Sequence, residues 1–362
     1  DAYILAAVFR VVGVVPGQTL DRAITAAKAC SFVLNLFTLP ILYGFVRRRY
    51  GRDIALPTMA VLAVLPVHAI YAGFILRESL VALTSVLAIW ALTEVWHAEP
   101  RSRRIWIWAL VAGVCGGLAI LARNTGLALV AAAGLYSLIA KRQGRFFPLL
   151  LCGLTICAVI TPWAYATFIE YGSPFYSYTG YFEYNFSWTV HHYEKGNTLP
   201  SQFYTLTNLP EIIRVKIKSL LIIMLTSTMI LGLPMIAGFF RRLKRPEGPA
   251  CDVDRLAATI AAVFILATIK SIPDVTQVAQ LGRYYLPVFV LMLPTAVAGL
   301  HDWLALIRVD RRAITWIIAT FISLVWADPT WAYDASWFSK PFQLHWPAIR
   351  DAGDWIKTHP EA

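Results

Sequence analysis

The chain has 362 residues, of which 58% are hydrophobic and only 15% charged, where a soluble domain is usually about 45–50% apolar and about 25% charged. This excludes an ordinary water-soluble enzyme, because the apolar excess comes in runs of roughly 20 residues, the length that crosses a bilayer. The formal charge of +11 would suit a nucleic-acid partner, but its placement along the chain argues for a membrane, and no nucleic acid is expected.

Residues 1–13 are apolar with one cation, Arg10, and are too short to span. They read as an interfacial helix or a partial span, broken by Pro16-Gly17. Residues 24–46 form the first full span, which ends at Arg47-Arg48-Arg49-Tyr50-Gly51-Arg52. Residues 54–75 form the second, with a kink expected at Pro66. The third is 79–96. The fourth, 105–122, carries Gly113, Gly116 and Gly117, a smooth face for close helix packing. A short fifth span covers 127–140 and the sixth 146–168.

Residues 171–217 are rich in Tyr, Phe, Asn, Ser and His, and no run within them could span. They read as a long extracytoplasmic loop. Four further spans follow at 220–240, 256–272, 286–307 and 313–326. The expected fold is therefore an all-α, polytopic transmembrane helical bundle of about ten spans over residues 1–328. The tail, 329–362, reads as the approach to a soluble domain. No signal peptide is visible, and both ends look unlike natural termini, so a fragment of a longer chain is expected. Four of the five cysteines, Cys30, Cys115, Cys152 and Cys157, lie inside apolar runs, and Cys251 is placed in a short polar loop. None has C-x-x-C spacing, so zinc or redox use is not expected.

Orientation comes from the loops. Arg47-Arg48-Arg49, Arg101 with Arg103-Arg104, Lys141-Arg142 with Arg145, Arg241-Arg242 with Lys244-Arg245, and Arg308 with Arg311-Arg312 fall on alternate turns. They share one side, which the positive-inside rule makes cytoplasmic. The other side receives Arg77-Glu78, Arg123, the 171–217 loop and Arg283. Its ends are chemically varied, and a site is expected there rather than among the basic loops.

Three constellations carry the chemistry. Gln280-Leu281-Gly282-Arg283-Tyr284-Tyr285-Leu286-Pro287 sets a permanent cation and two phenols at the mouth of an apolar run. A lone Arg there costs a few kcal/mol on insertion scales. Either it snorkels beside belt tyrosines, or it faces an anion such as a lipid phosphate, whose charge it would steady as a leaving group. Arg77-Glu78 reads either as a solvated turn with a local ion pair or as a polar cavity in which Glu78 orients a sugar hydroxyl or a cation. Arg123-Asn124 interrupts one long apolar stretch. Two short helices meeting at a polar turn is the plain account, and a planar fork for phosphate oxygens is the functional one. His191-His192 with Glu183 and Glu194 matches no metal motif of the required spacing. No phosphate-binding glycine loop or dinucleotide fingerprint occurs, so a sugar donor would be lipid-linked rather than a nucleotide sugar.

The order and spacing of several short motifs resemble the GT-C superfamily of membrane glycosyltransferases. They are most similar to family 39, which holds the protein mannosyltransferases and the lipid A aminoarabinose transferases. The motifs are Phe45 to Gly51, Pro66 with Arg77-Glu78-Ser79-Leu80, Gly113 to Arg123, Pro162-Trp163 with Gly172-Ser173-Pro174, and Gly282-Arg283-Tyr284-Tyr285-Leu286-Pro287. Trp355-Ile356 resembles the start of the soluble domain in such proteins. The resemblance implies inverting transfer from a polyprenyl-phosphate-linked sugar to an acceptor glycan, lipid or protein. It implies a bacterial inner membrane, with the site facing the periplasm or exterior. It sets Glu78 on the acidic position of a second outer loop and Arg283-Tyr284 beside the phosphate, with Arg77 and Arg123 as further substrate-binding candidates. It also puts the general base, an Asp, in a loop ahead of Asp1, so the chain alone is expected to be inactive. No cofactor and no metal ligand are expected. The alternative is a transporter or flippase of lipid-linked sugars, without chemistry; the paired halves common in transporters are not visible.

Overall fold

The structure is a computed structural model that describes residues 20–64, 68, 78–99, 102–123, 125–140, 144–172, 174, 232–244, 249–268 and 278–306. The chain divides into two compact units, Asp1–Val309 and Asp310–Ala362, and all described residues lie in the first. They form nine helices and no strand: α1 (Leu20–Tyr50), α2 (Arg52–Val64), α3 (Glu78–His97), α4 (Arg103–Ala122), α5 (Thr125–Ile139), α6 (Phe146–Tyr171), α7 (Gly232–Leu243), α8 (Pro249–Thr268) and α9 (Val278–Leu306).

Apolar composition makes these segments helical, since a backbone in hydrocarbon must bond to itself. Short punctuation separates them. One residue, Gly51 at φ 89°, turns α1 into α2, and its N–H closes on the Arg47 carbonyl at 3.1 Å. Only glycine adopts that left-handed angle without strain. The Ser102 hydroxyl accepts the Arg104 N–H at 3.2 Å and caps α4.

The helix α3 lies at the centre of the bundle, buried over most of its length, and packs against α1, α4 and α9. At the rim, α6 rests on α4 and turns Phe146, Phe147, Leu154, Phe168 and Ile169 outward. A rim of this kind is what lipid solvates. The expected glycine face of α4 is borne out. A Cβ at Gly113 would lie 2.5 Å from Thr155 Cβ and 2.7 Å from the Cys152 carbonyl, and one at Gly117 would lie 2.7 Å from Val159 Cβ. These glycines let α6 approach almost to backbone contact.

Five described helices are long and apolar enough to cross a membrane: Thr25–Tyr50, Glu78–His97, Arg103–Ala122, Phe146–Tyr171 and Leu286–Leu304. Ten were expected from sequence; the tenth, 313–326, and the tail lie outside the described residues, as do the 171–217 loop beyond its first residues and Pro66. One expectation is corrected. Cys251 is not in a loop but buried within α8, because Pro249 opens the helix, where its missing N–H is harmless. The stretch 280–287 stands at the mouth of the apolar run, as expected, and is itself helical: α9 starts at Val278 and continues through Pro287 and Pro294, and its apolar span is Leu286–Leu304.

Candidate functional site

Two of the five basic clusters, Arg47-Arg48-Arg49 and Arg241-Arg242, meet carboxylates at one end of the bundle. There Arg49 Nη2 donates to Glu94 Oε1 at 3.0 Å, and Trp90 Nε1 reaches the same oxygen at 3.2 Å. Arg48 Nε lies 2.6 Å from it. The Tyr50 hydroxyl donates to Asp254 Oδ1 at 2.6 Å and lies 3.2 Å from Thr295 Oγ1. Arg242 bonds Asp254 Oδ2 through Nε at 3.0 Å and Asp302 Oδ2 through Nη1 at 3.2 Å. His97 Nε2 lies 3.4 Å from Asp252, which accepts from the Tyr136 hydroxyl at 3.1 Å. These pairs tie α1, α3, α5, α7, α8 and α9 together. Sequence reasoning placed the arginines in cytoplasmic loops and named no carboxylate partners for them. The available signal was that Glu94, Asp254 and Asp302 each sit within or beside an apolar helix, where an acid needs a partner.

At the opposite end, two sequence candidates meet. Glu78 opens α3, where the positive end of the helix dipole favours a carboxylate. Arg123 directly follows α4, with extended backbone (φ −162°, ψ 140°) and its N–H on the Ala119 carbonyl. The chain then turns at once into α5, with the Gly126 N–H on the Arg123 carbonyl at 2.8 Å. The turn is tight: a Cβ at Gly126 would lie 2.4 Å from the Ala119 carbonyl oxygen. This corner holds the guanidinium over α3, and Arg123 Nη1 donates to Glu78 Oε1.

Glu78 is only 2% exposed, and Arg123 compensates its charge across the bundle. A carboxylate so buried needs such a partner. Its second oxygen, Oε2, has no hydrogen-bond partner, and neither do the buried hydroxyls of Ser79 and Thr125. The site thus presents a half-committed carboxylate and two hydroxyls, groups suited to accepting hydrogen bonds from a polar ligand. Arg77 and Asn124 lie outside the described residues. Arg283 and Tyr284 lie on α9. Thr295 of that helix meets Tyr50 at the basic end, so the backbone of Arg283 stands about 18 Å further toward the opposite end at about 1.5 Å per residue. The helix therefore brings that stretch to the same half of the bundle as Glu78 and Arg123. His191 and His192 lie outside the described residues.

A model of the dolichyl-phosphate-mannose-protein mannosyltransferase family matches residues 2–165, somewhat less than half of the chain. No curated protein matches it by sequence. Among solved structures it is similar to ArnT from Cupriavidus metallidurans in the apo state, at 17% identity and TM-score 0.56, over 86% of this chain and 50% of that one. The same enzyme bound to undecaprenyl phosphate gives 18% and 0.53, over 90% and 52%. The oligosaccharyltransferase of Archaeoglobus fulgidus, in complex with Zn and sulfate, gives 16% and 0.55, over 88% and 42%. The chain spans about half the length of these structures. The helical fold is thus shared with ArnT and the archaeal oligosaccharyltransferase. The resemblance drawn from the sequence motifs is borne out, and the chain is an integral membrane protein.

Proposed function

We propose that this chain is the membrane part of a glycosyltransferase that moves a sugar from a polyprenyl-phosphate donor to a hydroxyl of a glycan, lipid or protein, with inversion. We place it in a bacterial inner membrane, with the site facing the periplasm. One observation carries the proposal: the buried Glu78–Arg123 pair, with Glu78 Oε2 uncommitted, at the end of the bundle opposite the basic loops. Such a group inside a membrane bundle marks a polar ligand path. The similarity to a structure bound to undecaprenyl phosphate supports a polyprenyl-phosphate ligand.

In this reading the acceptor hydroxyl loses its proton to a general base, and its oxygen attacks the anomeric carbon. The carbon–oxygen bond to phosphate breaks, and the polyprenyl phosphate leaves with the electron pair. Arg283, with Tyr284 beside it, neutralises the charge growing on that phosphate; a fixed cation in a dry site favours it. Glu78 accepts from a sugar hydroxyl, and Arg123 holds Glu78 in place. Arg77 is left with a supporting contact to the phosphate. No described residue is assigned as the base, and no cofactor takes part.

The test uses the full-length protein in phospholipid nanodiscs with undecaprenyl phosphate as the probe. The wild type should bind it, and Arg283→Ala should weaken binding at least tenfold while expression and thermal stability hold. Equal binding by wild type and R283A, or no binding by either, overturns the proposal.

A further inference from the structure

A second polar pair lies buried in the same half of the bundle, on elements the proposed function does not use. Asn35 on α1 is 1% exposed and His68 is 4% exposed. Asn35 Nδ2 donates to the His68 carbonyl at 2.9 Å. Only the amide nitrogen can make that bond, so Oδ1 is fixed as an acceptor. Oδ1 is buried with no hydrogen-bond partner, and so is His68 Nε2. An orphaned group of this kind is destabilising if left dry and empty, and native structures keep few of them.

Depth relates this pair to the Glu78 site. Helices α1 and α3 pack together and are parallel, for both end at the basic end, where Arg49 meets Glu94. Asn35 lies about 14 residues before Arg49 and Glu78 about 16 before Glu94, a difference in depth of roughly 3 Å at ~1.5 Å per residue. Asn35 therefore stands level with Glu78 and Ser79, whose Oε2 and Oγ are also buried without partners. An amide oxygen and an imidazole nitrogen offer no fixed charge. They suit hydroxyl groups, which donate and accept at once, and suit a phosphate poorly.

We infer that Asn35 and His68 form an uncharged subsite for the hydroxyl groups of a lipid-linked sugar, level in the membrane with the Glu78–Arg123 pair. This rests on the proposed function, and the two fail separately. The full chain in phosphatidylcholine nanodiscs is treated with diethyl pyrocarbonate, and modification of His68 is read by peptide mass spectrometry, which separates it from the other histidines. Three samples are compared: no added lipid, undecaprenyl phosphate, and undecaprenyl phosphate carrying glucose. His68 should react in the first two and at least fivefold more slowly in the third, and Asn35→Leu should remove that protection. As a second measurement, His68→Phe should reduce the preference for the glucose-bearing lipid over the bare one by at least fivefold, without weakening binding of the bare lipid. Equal rates in all three samples mean that water alone fills the space, and overturn the subsite. Equal protection by both lipids assigns the space to the phosphate or the chain, and also overturns it. Reaction only after denaturation in dodecyl sulfate means a sealed pocket and overturns it too. If neither lipid binds at all, the proposed function falls instead.

Discussion

Glu78 shows how one side chain can hold a site together. Its Oε1 accepts a hydrogen bond from Arg123, and its Oε2 has no hydrogen-bond partner. Removing one member of a buried ion pair costs about 3–5 kcal/mol; Arg123 retains some exposure, so the lower part of that range applies. Glu78→Ala should lower the unfolding midpoint in detergent by several degrees, and Glu78→Met combined with Arg123→Met should recover much of the loss. A double variant no more stable than E78A would refute a pairwise origin. The residue types were legible in the sequence, because an acid and a base at the ends of apolar runs stand out. Their pairing was not, since 45 positions separate them and nothing local in either run points to the other.

Between elements, glycines decide how near two helices come. At Gly238 and Gly299 a Cβ would fall within 2.5 Å of the partner helix's backbone, so α7 and α9 touch through this pair. That contact brings Arg242 to Asp302. Gly299→Ala should force the helices apart and cost on the order of 1–3 kcal/mol, as overpacking does. Gly113→Val on the face of α4 against α6 should behave the same way. Gly134 of α5 has nothing within 4 Å of a Cβ, so Gly134→Ala should be neutral or stabilising by about 0.5–1 kcal/mol. Thermal unfolding of the three variants gives this order, and a G134A as damaging as G299A would contradict it. The glycines of α4 were readable because three fall close together on one helix. Gly238 and Gly299 lie far apart in the chain, and only the crossing of α7 and α9 gives them meaning.

Over the whole molecule, the basic loops on alternate turns predict one basic end, and the Arg49–Glu94, Tyr50–Asp254 and Arg242–Asp302 contacts assemble that end. If it is cytoplasmic, a cysteine replacing the exposed Arg103 in a cysteine-free background should react with an impermeant maleimide only after cells are opened. One replacing Tyr171, at the far end of α6, should react in intact cells. The opposite pattern would turn the site toward the cytoplasm and end the proposed use of a periplasmic acceptor. Hydropathy and charge are properties of each segment alone, so the sequence by itself determined that this is a helical membrane protein, where many of its helices run and which ends lie together. Hydrogen bonds and close backbone approaches join segments far apart in the chain. Only the tertiary structure decided that Glu78 belongs to Arg123, that Asn35 and His68 share a depth with them, and that arginines read as loop charge are bound to carboxylates inside the bundle.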